Sequence, residues 1–395
     1  MMCIRTVPLL MVTTCIILLS SCGRSGDSWV RESVDPDGVR IVENGSVPEE
    51  WTGRLPIMRY EDTAVIGEGG RGDDYLLSSG TSGGLVGVGP DGQVGYTERQ
   101  PPELRVFGTD GNLRWKAGRE GEGPGEFRVP MRPQFVPEVG WIVNAPILHR
   151  LIVFDEEGGF VRNRLLDPVP RARHFTHLRF LPNGDFWILA HRSIQGEMGQ
   201  DMFYYPVWIE WSDLRYVQTD SFRHVSVVKD DSYTYMYEEN PANMAVDGQG
   251  RAWVNCIFPY QIEVYAPGGS DQWRIRREYE LTGFPDAYRE SIESEPFMEM
   301  EEEIWYLRLP ERQAAIAGMN WTENNEMWVF QTAWVDSPLV QVDVFNEDGV
   351  FKRAFLADRR LRGMPIGAEH LWRSDEAEDG SPLLIRSRYW FEDRE

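Results

Sequence analysis

The chain has 395 residues, 42% hydrophobic and 12% aromatic, with 40 basic side chains against 63 acidic ones and a formal net charge of -23. Such fractions describe a folded globular protein and exclude wholesale disorder. The acidic excess excludes nucleic acid as a partner, because phosphate binding needs clustered positive charge, and it argues against electrostatic docking on anionic lipid.

The N-terminus is an address. Arg5 supplies a positive start, and Val7 to Leu19 is an apolar run of 13 residues. A membrane-spanning helix needs about 20, so the run suits a signal segment instead. Leu19-Ser20-Ser21-Cys22 follows and resembles the bacterial lipobox. The resemblance implies cleavage before Cys22 and acylation of its thiol and amine. Each buried methylene then contributes about 0.8 kcal/mol to anchoring. The alternative is an ordinary cleaved signal with an incidental cysteine. Residues 1–21 are therefore read as a signal peptide, 22–55 as a lipid-anchored polar tether and lead-in, and 56–395 as the folded body.

The body repeats. Its unit is an apolar strand, a turn rich in Gly, Asn or Asp, and a strand carrying an aromatic: GVGPDGQVGYTE, FVPEVGWIVNA, FLPNGDFWILA, AVDGQGRAWVNC and WTENNEMWVFQ. Gly95, Trp141, Trp187, Trp253 and Trp328 align, with Leu383 as a weaker sixth, at spacings of 46, 46, 66, 75 and 55 residues. Units of about 40–50 residues plus insertions have the length of a four-stranded propeller blade. Val86 and Val88, Leu178 and Phe180, Met244 and Val246, and Met319 and Trp321 alternate ahead of the aligned positions; the second unit departs, with Arg132 and Gln134 there instead. Each unit is followed by a second hairpin, as in ELRVFGTDGNLRW or VDVFNEDGVFKRAF. The pattern predicts an all-β, six-bladed β-propeller of four-stranded antiparallel blades. The sixth blade would combine Leu371–Ser374 and Leu383–Tyr389 with N-terminal strands near Ile57–Ile66, which removes a free sheet edge. The aligned indoles would fill the gaps between blades, each burying about 200 Å2 for roughly 5 kcal/mol.

Gly118-Arg119-Glu120-Gly121-Glu122-Gly123-Pro124-Gly125-Glu126-Phe127 is similar to the GxxGxGPGEF segment of bacterial six-bladed β-propellers related to NHL repeats, including lipoprotein members. The resemblance implies the six-bladed fold and an extracytoplasmic setting, and no catalytic residue. Taken on its residues, the segment is a structural loop between blades with Phe127 anchoring its exit. Its glutamates would repel phosphate, and no Gly-Lys-Ser/Thr follows.

Residues 284–316 break the repeat. Ile292, Phe297, Met300, Ile304 and Leu307 recur at roughly helical spacing, which predicts a small helical insertion divided by Pro296 and Pro310. Glu299, Glu301, Glu302 and Glu303 would be its solvated side; they lack calcium-loop spacing. Among the four cysteines, only Cys256 lies in the body, in an apolar run that predicts a buried structural thiol.

A propeller binds ligands in its central channel or on one face. Polar residues near the starts of inner strands are Arg132, His177, Arg179, Asn243 and Asn320; those after the aromatic strands are Asn144, His191, Asn255 and Gln331. They are the candidate channel residues. An Arg/Asn/His funnel fits a neutral or anionic small molecule better than a cation. A metal-dependent lactonase-like hydrolase or lyase would need carboxylates there; Asp375 is the one candidate, since Asp247 and Glu323 sit in turns. No Ser-His-Asp order or GxSxG occurs. The favoured reading is a non-catalytic binding module, tethered in the bacterial cell envelope (the outer membrane before the inner), whose partner is an unknown small molecule or envelope protein. No metal or other cofactor is expected; Ca2+ stays open without being indicated. The alternatives are the hydrolase and a subunit of an envelope uptake or assembly complex, which predicts an exposed apolar patch.

Overall fold

The computed structural model describes residues 30–46, 53–68, 72–77, 85–166, 174–196, 199–218, 222–225, 227–229, 233–236, 242–256, 259–269, 272–281, 283–294, 296–300, 303–309, 312–332 and 337–394. Cys22 and its tether lie outside them. The described chain is mostly β and forms a succession of small antiparallel sheets with one α-helix.

The first sheet comprises Val86–Val88, Val94–Arg99, Pro102–Phe107 and Leu113–Ala117. The second comprises Met131–Val136, Gly140–Ala145, Arg150–Phe154 and Phe160–Leu165. His174–Phe180, Phe186–Gly196, Gly199–Ile209 and Tyr216–Gln218 form the third. Asn243–Val246, Ala252–Asn255, Gln261–Tyr265 and Gln272–Arg277 form the fourth, and Ile316–Trp321, Met327–Gln331, Leu339–Phe345 and Phe351–Asp358 the fifth. Each runs up and down, with turn residues where the strands reverse.

A last group pairs the two ends of the chain. Ile57–Ile66 runs antiparallel to Pro382–Glu392, which pairs in turn with His370–Glu376. Arg373 ties the group together: its Nη2 donates to both Asp62 oxygens at 2.9 and 3.0 Å, and the Ser387 hydroxyl donates to Asp62 at 2.8 Å. This group and the fifth sheet share one strand order through the pair Ile57 and Leu356.

Six hydrophobic clusters lie between successive sheets. One joins Ile66, Trp372 and Leu384 of the terminal group to Val86, Val94 and Tyr96 of the first sheet. Another joins Trp328 and Phe330 of the fifth sheet to Leu371, with Tyr389 packed against it. Trp141, Trp187, Trp253 and Trp328 are all buried in these gaps. Trp187 donates its indole N–H to the Gly250 carbonyl of the fourth sheet at 2.9 Å, and Trp253 meets Trp321 of the fifth at 5.6 Å.

The second unit is out of phase. Its indole, Trp141, clusters with Leu104 and Val106 of the sheet before it, whereas Trp187 clusters with Met244 and Val254 of the sheet after it. The reason is the turn: Phe135 pairs with Trp141 across six positions, where Arg179 pairs with Trp187 across eight. Trp141 therefore stands one residue nearer the centre of its turn than Trp187 does, and one residue changes the face of a strand. Trp141 thereby occupies the gap facing Gly95, the one aligned position without a large side chain. A Cβ on Gly95 would lie 2.3 Å from the indole, and one on Gly89 2.4 Å.

Two segments differ from expectation. The predicted helical insertion over 284–316 is helical only at Asp286–Ser294, nine residues. Pro296–Met300 and Glu303–Arg308 are strands paired with each other, and the second also pairs with Tyr233–Met236. Pro296 ends the helix. The run Ile304-Trp305-Tyr306 is β-branched and aromatic, a composition that favours strand, and the apparent helical spacing came from two short strands read as one. The side chains of Glu299 and Glu303, and the whole of Glu301 and Glu302, lie outside the description. The second segment is the lead-in: Val30–Val34 and Arg40–Asn44 form a hairpin that extends the fourth sheet, with Arg40–Asn44 parallel to Gln272–Arg277. Asn44 fastens it, donating to the Gly349 carbonyl at 3.0 Å and accepting from the Phe351 N–H at 2.9 Å.

Candidate functional site

The innermost strands of the five sheets surround one cavity of about 200 Å3, walled on the remaining side by the segment Gly363–Ile366 ahead of the terminal group. An innermost strand is an edge strand, so its outward backbone groups need partners. Side-chain amides supply several. Gln134 donates to the Leu178 carbonyl at 2.8 Å and accepts from the Phe180 N–H at 3.0 Å, lacing the second sheet to the third. Asn243 donates to Ile316 at 3.4 Å, lacing the fourth to the fifth. Asn320 donates to the Leu361 and Met364 carbonyls, both at 3.1 Å, and accepts from the Gly363 N–H at 3.1 Å. Between the first two sheets no side chain fits: a Cβ on Gly87 would lie 1.8 Å from the Pro133 carbonyl oxygen.

Of the nine candidate channel residues, Arg132, Arg179 and Asn320 line the cavity. Arg132 sits in an irregularity of its strand, where the register shifts between Met131 and Gln134, and has φ 49. That left-handed conformation at a bulge re-aims the side chain. Among the described residues Arg132 has neither a hydrogen-bond nor an ion-pair partner. Arg179 spends one N–H on the Leu178 carbonyl at 2.9 Å. Both side chains are partly buried, and both reach the cavity. Burial pulls the Arg132 pKa down to about 10. Burial, then the charge of Arg132, pulls that of Arg179 down to about 9. His177 is held well below the usual histidine range by burial first and then by both guanidiniums, so it is neutral at pH 7.

The other candidates serve the sheets. Asn144, His191, Asn255 and Gln331 stand opposite Met131, His174, Asn243 and Ile316, at one end of their strands, one strand out from the cavity. Asn255 donates to the Gln261 carbonyl at 2.8 Å, and the His191 ring lies 5.8 Å from Tyr204. The Gln331 amide donates to Asp343 at 2.8 Å, in a buried cluster where Asp343 also pairs with Arg277 and accepts from the Tyr260 hydroxyl at 2.8 Å. Asn144 is buried, with its Oδ1 unbonded.

Sequence reasoning missed Gln134 as a lacing residue, though its departure from the apolar pattern was the available signal. It also missed the apolar wall of Met319, Trp321, Met364 and Ile366. A second cavity of about 480 Å3 shares Trp321, Pro365 and Ile366 with the first and is lined by Asp91, Glu323 and Glu369 together with His370 and Arg386.

The carboxylates considered for catalysis are engaged. Asp375 pairs with Arg373 and accepts from Arg360 at 2.5 Å. Burial raises its pKa, but Arg373, a backbone N–H and Arg360 outweigh that and leave it lowered. Asp247 accepts from Arg251 Nε at 2.6 Å and from the Trp253 indole at 2.9 Å; Glu323 accepts from the Ala368 N–H at 3.1 Å. Among the described residues no group of three or more His, Cys, Asp or Glu gathers that could hold a metal ion, and no cofactor is indicated. No described helix is long and apolar enough to cross a membrane.

The loop at Gly118–Phe127 folds around its own side chains. Phe127 is fully buried between the first two sheets. Gly118 has φ 84, and a Cβ there would lie 2.2 Å from the Phe127 ring. The Glu126 carboxylate accepts from the Gly123 N–H at 2.8 Å and from Arg119 Nε at 2.7 Å; these bonds lower its pKa. The exposed large apolar side chains are divided among the described residues: Phe160, Val161 and Leu165 on the outer strand of the second sheet, Trp390 and Phe391 at the end of the terminal group, and Val34, Leu76 and Ile147 elsewhere.

The sheets and their arrangement are those of a β-propeller-like protein. No family model and no curated protein matches the chain. Among solved structures, a member of the DUF4221 family from Bacteroides vulgatus is similar over 86% of this chain and 99% of its own, at 10% identity and a TM-score of 0.52. An exported protein from Bacteroides fragilis is matched over 88% and 99% of the two chains, at 12% identity and a TM-score of 0.47. Virginiamycin B lyase from Staphylococcus aureus is matched over 84% and 99%, at 10% identity and a TM-score of 0.39. These likenesses concern the fold.

Proposed function

We propose that the chain is a six-bladed β-propeller lipoprotein of the NHL-related kind, held in the bacterial envelope by Cys22, whose central cavity binds a small molecule without transforming it. Support for six blades comes from the six clusters, one in each gap including that between the terminal group and the first sheet. The observation that carries the binding reading is the cavity itself: strands from five sheets present Arg132, Arg179 and a hydrophobic wall to one space. Such a concave site with few convergent polar groups has the form of a ligand pocket. The outer membrane is the favoured location, since Gly23 and Arg24 carry no inner-membrane retention signal.

The test is a crystal structure of the full chain purified without added ligand. Density for an organic molecule in the cavity supports the reading. Hydrolysis of lactones that depends on an added divalent cation would replace it with the hydrolase. For the anchor, Cys22→Ala should release the chain from the membrane fraction on high-salt washing; retention contradicts lipid attachment.

A further inference from the structure

The proposed reading leaves the ligand's chemistry open, and the cavity lining narrows it. Arg132 and Arg179 come from neighbouring sheets and enter the same space. No carboxylate lines that space among the described residues. This is unusual within the molecule. Three of the other deep guanidiniums are matched, Arg105 with Glu103 at 2.6 Å, Arg277 with Asp343, and Arg373 with Asp62 at 2.9 Å, while the lone Arg150 rests on the Glu126 carbonyl at 3.5 Å and has no second charge beside it among the described residues. In a chain of net charge -23 carboxylates are abundant, yet none stands here. Two like charges held together out of bulk water, without a counter-charge, are costly. Each also lowers the other's hold on its proton, which is the direction found for Arg179. The one bond either makes to a sheet, from Arg179 to the Leu178 carbonyl, duplicates that of Gln134, and the lacing of inner strands is done by Gln134, Asn243 and Asn320.

We infer that Arg132 and Arg179 are the recognition pair for a compact organic monoanion, a carboxylate with an apolar body, whose charged end supplies the counter-charge the cavity lacks. This rests on the channel-binding reading above. A planar guanidinium donates two parallel hydrogen bonds to a carboxylate, and Arg132 has all its donors uncommitted among the described residues. The apolar body follows from Met319, Trp321, Met364 and Ile366 on the facing wall. A single charge is favoured by the adjoining cavity, where the carboxylates Asp91, Glu323 and Glu369 outnumber the one guanidinium, Arg386, and so disfavour a polyanion. Compactness follows from the volume of about 200 Å3, below the range of drug-sized sites.

The experiment titrates the full chain in detergent with benzoate and with its neutral counterpart benzamide, reading thermal midpoint and tryptophan emission. Benzoate should raise the midpoint and shift the emission, and benzamide at equal concentration should do neither. Arg132→Met and Arg179→Met should each weaken benzoate at least tenfold, the scale of a lost charge-assisted bond. Without ligand, both variants should unfold at or above the wild-type midpoint, because an unmatched charge is gone. Arg179→Lys keeps the charge without the fork and should recover part of the affinity. Equal binding of benzamide, with the variants unaffected, overturns the anion inference and leaves channel binding standing. If neither probe binds and the purified chain carries a neutral molecule in its cavity, the inference falls and the binding reading survives; with neither probe nor resident molecule, both fall.

Discussion

Gly95→Ala tests the packing logic of the repeat at one atom. The new Cβ would stand 2.3 Å from Trp141 Cζ3 and 2.7 Å from Cη2. The indole cannot yield, since it is fully buried between Phe135, at 5.7 Å and 65°, and Trp115, at 6.4 Å and 80°. Overpacking of this kind costs about 1–3 kcal/mol. Against it stands the gain of about 0.4–1 kcal/mol from replacing glycine in the unfolded chain. Gly95→Ala should therefore destabilise by about 1–2 kcal/mol in urea unfolding. Trp141→Ala alone should cost about 3–5 kcal/mol. In the Trp141→Ala background the obstruction is absent, so adding Gly95→Ala should be neutral or stabilising, a coupling of about 1–3 kcal/mol in the double-mutant cycle. Equal costs of Gly95→Ala in both backgrounds would refute the claim that one indole serves the gap for two units.

Asn320→Ala should lower stability by about 3 kcal/mol or more in the same assay, because two carbonyls and one N–H of 361–364 lose their partner in a buried place; a loss under 1 kcal/mol would mean the lacing is dispensable. Burial, and then Glu263, push the Cys256 thiol well above its ordinary pKa, so Ellman's reagent should label it only after denaturation; prompt labelling of the native chain contradicts that. Glu126 has a folded-state pKa below its unfolded value, so its contribution is complete above the ordinary glutamate range near about 4.3 and disappears as pH falls through the lowered value. Glu126→Gln should accordingly flatten the loss of urea stability on the acid side, and an unchanged acid profile would show that the loop does not draw on that charge.

Much of the fold was legible because the repeat writes the same physics several times. A turn followed by an indole marks four of the sheets, and Val86, Leu178, Met244 and Met319 each sit on the predicted face. The pairing of Ile57–Ile66 with Pro382–Glu392 was also readable, since the C-terminal hairpin lacked the strands to complete a blade and the N-terminal strand had no local partner. What could not be read was phase and distance. The shorter turn before Trp141 flips that indole to the other gap, an effect invisible to a one-dimensional alignment. Two strands on either side of Glu301 and Glu302 imitated a helix because their apolar spacings happened to add to the helical period. At the cavity, polarity alone could not separate Arg132 and Arg179, which face the space, from Gln331, whose amide serves Asp343. That distinction depends on strand register and on a bulge at Arg132.

Only where the chain's two ends meet can the sheets enclose a cavity. Glu61 and Arg388 are exposed direct partners across the terminal pairing. Directly opposed positions have Cβ atoms about 4.5–5.5 Å apart, close enough for a disulfide after small adjustment. In the full chain carrying Glu61→Cys and Arg388→Cys, mild oxidation of the folded protein should close this bond completely and raise the urea midpoint. A bond that fails to form, or forms only with loss of the native fold, would contradict the ring and the site it encloses.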